Sequence, residues 1–126
     1  MPPRPSPESR LTTLARARRL ALSQPESTER DHHGFPSFRV GGRIFATVPD
    51  PAHLHVMLPP DHVAMAVGAA PQACEELWWG KRLAGVRVTI SAVPEDLLAT
   101  LLTEAWRLRS PSRLTGGAVS GRRVRR

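Results

Sequence analysis

Short runs of alternating apolar and polar residues, joined by tight turns, constrain the fold of this chain more than any other feature of its sequence. Residues 37–40 and 44–48 form two such runs, and Gly41 and Gly42 lie between them. Both glycines can adopt the positive φ angles that a two-residue hairpin loop requires. The sequence therefore predicts a β-hairpin here and, because short loops connect antiparallel strands, an antiparallel sheet.

Amphipathic spacing predicts a helix at each end of the folded region. Ser9 is the predicted N-cap of the first helix, which Pro25 ends, and residues 95–109 carry apolar side chains at helical spacing. Residues 53–58 alternate strictly and predict a half-buried strand, whereas the segment around residues 75–76 is assigned to a loop. In chain order, the predicted elements are a helix over 9–24, strands over 28–33, 37–40, 44–48 and 53–58, a short helix over 62–67, a strand over 86–90 and a helix over 95–109.

This order of elements predicts an α+β fold. The apolar sides of two amphipathic helices and the apolar face of the sheet all have to be buried. The simplest arrangement is a two-layer sandwich in which an antiparallel β-sheet carries the N- and C-terminal helices on one face, while the other face stays open. The predicted organisation is a disordered N-terminus over residues 1–8, one domain over 9–114 and a disordered, Arg-rich tail over 115–126.

The positive charge is concentrated at the ends of the chain. The formal net charge is +7, and four arginines lie within the last five residues. Residues 11–114 contain twelve Lys and Arg against ten Asp and Glu, which leaves a net charge of +2. The tail therefore predicts weak, non-specific affinity for polyanions such as DNA, and a specific site has to be sought in the nearly balanced domain.

Cysteine content and hydropathy bear on the compartment. Cys74 is the only cysteine, so an intramolecular disulfide is excluded and the reducing cytoplasm is the predicted location. The first ten residues contain four prolines and lack the apolar segment of a secretory signal. The most apolar uncharged run, residues 63–74, is about a dozen residues long, whereas a membrane-spanning helix needs about 20. The sequence thus predicts no membrane partner.

Several motifs occur in an order that resembles the MmcQ/YjbR family of small proteins. They are HHGFPSFRVGGRIFATV over residues 32–48, the strand over 54–58 with its Pro-Pro-Asp sequel, Trp79-Gly80, the strand over 86–90 and Glu-Ala-Trp-Arg over 104–107. The resemblance covers nearly all of residues 11–114 and implies a frataxin-like (CyaY-like) fold, a DNA-binding role and no catalytic motif. Residues 11–24 lack the Asp and Glu that a frataxin-type iron chaperone carries on its first helix, so iron delivery is not predicted.

The open sheet face is the predicted nucleic-acid-binding surface. Residues between the inward-facing positions of each strand point outward, and here they are basic and partly aromatic, without a carboxylate. Arginines would contact phosphates, and Phe45 would lie against a base or sugar. Two alternatives stay open: the face is an ordinary solvated one, or Phe45 points inward because the hairpin register shifts by one residue. The predicted outward residues are Arg39, Arg43, Phe45, Thr47, His53, His55, Met57, Arg87 and Thr89.

Trp78 and Trp79 precede the last predicted strand and have two interpretations. Either one tryptophan of the pair anchors the loop in the core, as Trp106 is expected to do from the last helix, or the pair supplies a stacking surface. The candidate nucleic-acid-binding residues are accordingly Arg39, Arg43, Phe45, Arg87 and Trp78. The alternative function is a protein-protein or small-ligand interaction module, with no nucleic-acid role, that uses the Trp78-Trp79 segment as its anchor.

No motif predicts a metal site, a cofactor or an enzyme. His53 and His55 project to the same face, and residues 31–33 add two histidines and an aspartate, but no Cys pair or carboxylate cluster accompanies them. Ser37 is not in a nucleophile elbow, and Cys74 is interpreted as a buried apolar residue. We therefore expect a non-enzymatic protein that requires no cofactor, and a metal-dependent role centred on the two strand histidines is a third hypothesis.

Overall fold

The computed structural model describes residues 12–114 of the chain. Within this part, three α-helices and six β-strands, together with a helical turn at residues 112–114, form an α+β fold, as predicted. In chain order the three helices and six strands are α1 (Leu14–Leu22), β1 (Thr28–His32), β2 (Phe35–Val40), β3 (Arg43–Asp50), β4 (His53–Met57), α2 (Pro60–Ala69), β5 (Cys74–Trp79), β6 (Arg82–Thr89) and α3 (Glu95–Arg109). The predicted disordered segments, residues 1–8 and 115–126, and the predicted N-cap Ser9 lie outside the described residues.

The six strands form one sheet in the order β1-β2-β3-β4-β6-β5. Each strand runs antiparallel to its neighbours, so the predicted antiparallel sheet is confirmed. β6 lies between β4 and β5, and the chain therefore leaves β4, passes through α2 and enters the sheet again at its edge as β5. β6 then returns to the interior of the sheet, where Val86 pairs with Val56 of β4.

The β2–β3 hairpin forms where the two glycines predict it. Gly41 and Gly42 have φ angles of 59° and 79°, the left-handed conformation that glycine adopts at no steric cost. A Cβ atom added to Gly41 would lie only 2.8 Å from Cγ of Pro111. The hairpin loop therefore packs closely against the segment that follows α3.

A β-bulge in the same hairpin changes the orientation of one predicted site residue. Phe38 pairs with Ala46 in the neighbouring strand. The next residue, Arg39, pairs with Ile44, so Phe45 is the extra residue of the bulge. Phe45 is 0 % exposed and belongs to the hydrophobic core. The prediction of an outward Phe45 is therefore wrong, and the alternative of an inward Phe45 is the one that the structure adopts.

All three helices cover the same face of the sheet. α3 contacts β2, β3 and β4, α2 contacts β5 and β6, and α1 packs on α3. Arg16 of α1 forms an ion pair with Glu95 at the start of α3, with 2.7 Å between Nε and Oε1. Nε2 of His62 in α2 lies 3.4 Å from Oε1 of Glu104 in α3. The predicted two-layer sandwich is therefore confirmed, and none of the helices within residues 12–114 is long and apolar enough to cross a membrane.

The core lies between the sheet and this helical layer. Leu98 and Leu102 of α3 are fully buried against the apolar face of the strands. Trp106 is also buried, and its indole Nε1 donates a hydrogen bond to the carbonyl oxygen of Pro25 at 3.0 Å. Trp106 thus lies in the core, as the sequence predicts, and its hydrogen bond also ties α3 to the connection between α1 and β1.

α1 begins later than predicted. Its N-cap is Thr13, whose side chain accepts a hydrogen bond from the backbone N–H of Arg16 at 3.2 Å. The preceding Thr12 is buried, and its hydroxyl donates to the carbonyl oxygen of Val93 at 2.9 Å. This bond ties Thr12 to the β6–α3 connection, while Thr13 has extended backbone angles. A tertiary contact that the local sequence does not encode therefore places the start of the helix at Leu14.

β5 is an edge strand at a position where the sequence predicts a loop. Its buried residues, Cys74 and Leu77, are three positions apart, and its other four residues are exposed. A register shift between Leu77 and Trp78 contributes to this irregular pattern. Because an edge strand has a partner on one side only and few of its side chains are covered, the period-two alternation that predicts a strand is missing. The loop assignment of residues 75–76 is therefore wrong.

Cys74 is buried in β5, and we expect it to be unreactive in the folded protein. The residue is 2 % exposed, and burial raises the pKa of its thiol to about 11. Thiol reagents attack the thiolate, so both access and ionisation are low at neutral pH. Ellman's reagent should modify the native protein only as fast as it unfolds and should react freely in urea. Immediate stoichiometric labelling of native protein would contradict the buried position.

Candidate nucleic-acid interface

The open sheet face carries a polar row that crosses the whole sheet. Residues that pair directly across antiparallel strands point to the same face. The outward orientation predicted for Thr47, His55 and Arg87 is confirmed. Their chain neighbours Ala46, Val56 and Val86 point into the core, so these three side chains point to the opposite face. The row, one residue from each strand, consists of Arg30, Ser37, Thr47, His55, Arg87 and Glu75.

Arg87 has two carboxylate neighbours on this face. Its Nε lies 3.4 Å from Oε2 of Glu75, and its Nη2 lies 3.7 Å from Oδ2 of Asp50. Its Nη1 donates to Nε2 of His55 at 3.2 Å. The prediction that this face lacks carboxylates is therefore wrong, because the unpredicted strand β5 brings Glu75 into register with Arg87. The paired guanidinium offers a phosphate much less net positive charge than an unpaired one.

Of the other predicted residues of the open face, His53 and His55 contact Arg87, whereas Arg39 and Met57 do not join them. Arg39 is half-buried in β2, three strands away from β6, and its Nε donates to the hydroxyl of Ser37 at 3.2 Å. Met57 is buried, which removes it from the predicted surface. The predicted residues Thr47, His53, His55 and Thr89 are half-buried. Arg39 and Arg87 therefore do not belong to one cluster on this face.

The histidines of the open face are engaged by charged neighbours. Nδ1 of His53 lies 2.9 Å from Oδ1 of Asp50. Burial lowers the pKa of His55, and the positive charge of Arg87 lowers it further. His32 is the last residue of β1 and His33 follows it, and β1 is separated from β4 by two strands. Within residues 12–114, no group of three or more His, Cys, Asp or Glu side chains could hold a metal ion.

A second basic surface forms where the β2–β3 hairpin and the β5–β6 hairpin meet the end of α3. Arg43 follows the β2–β3 loop, Arg82 begins β6, and Arg109 is the last residue of α3. Burial lowers the pKa of Arg109, and the positive charges of Arg43 and Arg82 lower it further, so each of these two arginines lies close enough to Arg109 to repel it. Lys81 precedes Arg82 in the β5–β6 turn. We refer to Arg43, Lys81, Arg82 and Arg109 as the cation cluster.

Within residues 12–114, the members of the cation cluster lack an acidic partner, a property that they share with Arg19, Arg30 and Arg39. Among the described residues, none of its four members forms an ion pair with Asp or Glu. In the same helix, by contrast, Arg107 pairs with Glu104 at 2.7 Å. The C-terminal end of a helix attracts a positive charge, and this partly compensates for the repulsion at Arg109. The cluster therefore presents positive charge to solvent.

The cation cluster borders a groove of about 840 Å³ that is lined mainly by apolar side chains. The groove lies between the end of α3, the β5–β6 hairpin and the connection from β4 to α2. Its volume falls within the range of about 300–1,000 Å³ that is typical of ligand sites. The apolar lining includes Pro59, Pro60, Trp78, Leu83 and Leu108, and the cations in the lining are Lys81, Arg82 and Arg109.

Trp78 and Trp79 are 51 % and 50 % exposed, so the interpretation in which one of them anchors the segment in the core is wrong. Both belong to the edge strand β5, which has a neighbour on one side only. Nε1 of Trp78 donates to Oε1 of Glu76 at 3.0 Å. The guanidinium carbon of Arg82 lies 5.2 Å from the centre of the Trp79 ring, a cation–π contact that orients Arg82. The stacking interpretation of Trp78 stays a prediction.

Comparison with known proteins identifies the family. A family model described as YjbR matches residues 22–108, which extend from the last residue of α1 almost to the end of α3. This chain belongs to the YjbR family. The crystal structure of Deinococcus radiodurans protein DR2400, with a DUF419 domain, resembles this YjbR domain with a TM-score of 0.65 and 25 % identity, over 82 % of this chain and 80 % of that chain. A search of curated proteins found no match.

Sequence analysis did not identify three residues of the cation cluster in this YjbR domain as candidate binding residues. Lys81 and Arg82 follow Gly80, whose φ angle of 63° suits the first position of a two-residue hairpin loop. Gly80 could therefore have predicted a β5–β6 hairpin with basic residues in its turn. Arg109 carries no such signal, because a basic residue in the last turn of a helix is explained by the helix dipole alone.

Proposed function

We propose that this YjbR domain is a non-enzymatic nucleic-acid-binding protein, with DNA as the first expected ligand, and that the cation cluster is its phosphate-binding surface. The observation that supports this most is geometric: Arg82 and Arg109 line one groove, and the contact between Gly41 and Pro111 brings the hairpin that carries Arg43 to the end of α3. The repulsion between these groups and the desolvation of Arg109 are unfavourable in the free protein. A polyanion relieves the repulsion, and a nucleic-acid strand supplies several phosphates at regular spacing.

The open sheet face supports nucleic-acid binding less well than the cation cluster does. Arg87 is paired with Glu75 and Asp50, and Arg39 is half-buried. Phe45, the intended stacking residue of that face, is in the core. We therefore place the binding surface at the cation cluster, which retains Arg43 and lies beside Trp78.

The Arg-rich tail is part of the same proposal. Arg122, Arg123, Arg125 and Arg126 lie outside the described residues and add four positive charges. Such charges strengthen binding to any polyanion and carry no sequence preference by themselves. We propose that the tail supplies this non-specific affinity and that the protein, with a frataxin-like fold, acts in the cytoplasm.

A second candidate function is a protein-protein interaction module. The observation in its favour is that Trp78, which is half exposed, lies beside a groove lined mainly by apolar side chains. An acidic peptide with one or two apolar residues would match both the groove and the cation cluster. This candidate needs no nucleic acid, so binding measurements separate the two.

Replacing Arg43, Arg82 and Arg109 together with glutamine should weaken DNA binding by the full-length protein at least about tenfold at low salt. Each phosphate contact contributes about 0.7–0.9 to the slope of log affinity against log salt, so this slope should decrease by about 2 to 3. Fluorescence anisotropy of a labelled oligonucleotide in a KCl series measures both quantities. Glutamine removes the charge while keeping much of the side chain, and the variant should retain a cooperative melt.

The matched control removes the same number of charges from the open sheet face. Replacing Arg30, Arg39 and Arg87 with glutamine should change the slope by less than about 1. An equal effect of both triple variants would contradict the placement of the site. If unmodified protein binds neither single-stranded nor duplex DNA or RNA at low ionic strength, the nucleic-acid proposal fails and the interaction module replaces it.

A further inference from the structure

We infer that the groove selects single-stranded nucleic acid and that one unstacked base lies on the Trp78 ring. This inference rests on the proposed nucleic-acid function and specifies its ligand. Trp78 lines the groove and is half exposed, while its indole N–H is already bonded to Glu76. That hydrogen bond holds the polar edge of the ring to the protein surface. The part of the side chain that is free for a ligand is therefore its aromatic face.

The two tryptophans have different partners. Arg82 lies over the Trp79 ring, so that ring positions a member of the cation cluster. Among the described residues, no comparable cation or aromatic ring is placed on Trp78. Nucleobases stack on exposed aromatic rings irrespective of sequence, because every base has a π face. Trp78 is therefore the stacking position and Trp79 the support for Arg82.

The lining of the groove favours a base over a duplex. Leu83, Leu108 and Pro59 provide apolar contacts beside Trp78, and a volume of about 840 Å³ can accommodate a base with its sugar. A duplex keeps its bases stacked inside and presents mainly charged phosphates and sugars to such a groove. A single strand can instead place a base in the apolar part while its backbone remains outside.

The cations lie where that backbone would pass. Arg82 and Arg109 belong to the lining of the same groove as Trp78, and the Gly41–Pro111 contact brings the hairpin of Arg43 to the end of α3 that carries Arg109. One carboxylate, that of Glu76, is bonded to the Trp78 ring, against four cations of the cluster. This balance of charge, together with a free aromatic face, fits a strand of phosphates and bases better than it fits an acidic peptide.

Full-length protein should bind a labelled oligothymidine about tenfold or more tightly than a hairpin duplex with the same number of phosphates. Replacing Trp78 with alanine should weaken binding of the single strand by about 5-fold to 150-fold and leave duplex binding nearly unchanged. Trp78→Phe should restore part of the affinity, since a phenyl ring also stacks. An abasic strand of equal charge should bind no better than the duplex, because it offers no base to Trp78.

Phe35→Ala is the matched control, because Phe35 is another exposed aromatic residue and lies outside the groove. It should not alter binding of any probe, and both alanine variants should keep a cooperative melt. Equal binding of single strand, duplex and abasic strand, with no effect of Trp78→Ala, would overturn the inference and leave the proposed function intact. Polyglutamate that binds more tightly than the oligonucleotide would also overturn it and would favour a protein partner. Absence of all nucleic-acid binding would reject the proposed function itself.

Discussion

Replacing Phe45 with alanine is expected to lower the free energy of unfolding by about 3–5 kcal/mol. Phe45 is 0 % exposed in the core, where the bulge in β3 places it next to the equally buried Ala46. Removing the ring loses its apolar contacts and leaves a cavity that the surrounding strands can fill only in part. Urea unfolding followed by circular dichroism measures the loss as a lower midpoint with a similar slope.

The control for this prediction is the same substitution at Phe35. That side chain is 47 % exposed at the start of β2, so Phe35→Ala should reduce stability by at most about 1 kcal/mol. The comparison also tests the bulge itself. If Phe45 pointed outward, as the simple alternation predicts, Phe45→Ala would reduce stability about as little as Phe35→Ala. Equal stability of the two variants would therefore contradict the register of the hairpin.

Replacing Gly85 with alanine is expected to reduce stability by about 3 kcal/mol or more. Gly85 lies in β6 opposite Met57, and a Cβ atom at this position would overlap the carbonyl oxygen of Val56. The obstruction is backbone in a neighbouring strand, so no side-chain rotation can relieve it. β4 and β6 would have to separate, which weakens the hydrogen bonds between two interior strands. Thermal and urea unfolding of the variant measure this effect.

Gly68→Ala provides the matched control for the glycine prediction. Gly68 lies near the end of α2, and a Cβ atom there meets no atom within 4 Å. Alanine has a higher helix propensity than glycine by up to about 1 kcal/mol, so this variant should be as stable as the unmodified protein or more stable. If Gly85→Ala were equally harmless, the close approach of β4 and β6 would be wrong.

The location of the candidate site depends on one strand. Glu75 in β5 pairs with Arg87, so the face that was predicted to be basic carries acidic partners for Arg87 at that point. The same strand carries Trp78 and Trp79 to the β5–β6 turn, where Arg82 begins the next strand. A single unpredicted edge strand therefore weakens one candidate surface and creates the other.

The sequence by itself determined the elements whose signals are local. The Gly41-Gly42 hairpin, the strict alternation over residues 53–58 and the amphipathic helix over residues 95–109 were all predicted and are all present. Each signal depends on backbone conformations and side-chain periods within a few residues. The motifs that resemble the MmcQ/YjbR family were likewise readable in order along the chain, and the family match confirms them.

Tertiary structure alone decided the features that depend on distant partners. Phe45 faces the core because its strand pairs with β2 through a bulge, and α1 starts at Leu14 because Thr12 is bonded to Val93. The contact between Pro111 and Gly41 brings the end of α3 to the β2–β3 hairpin, which places Arg109 near Arg43. Sequence periodicity records which face of an element is apolar. It does not record which charges from other elements will lie beside it, and that placement determines whether an arginine is neutralised or available to a ligand.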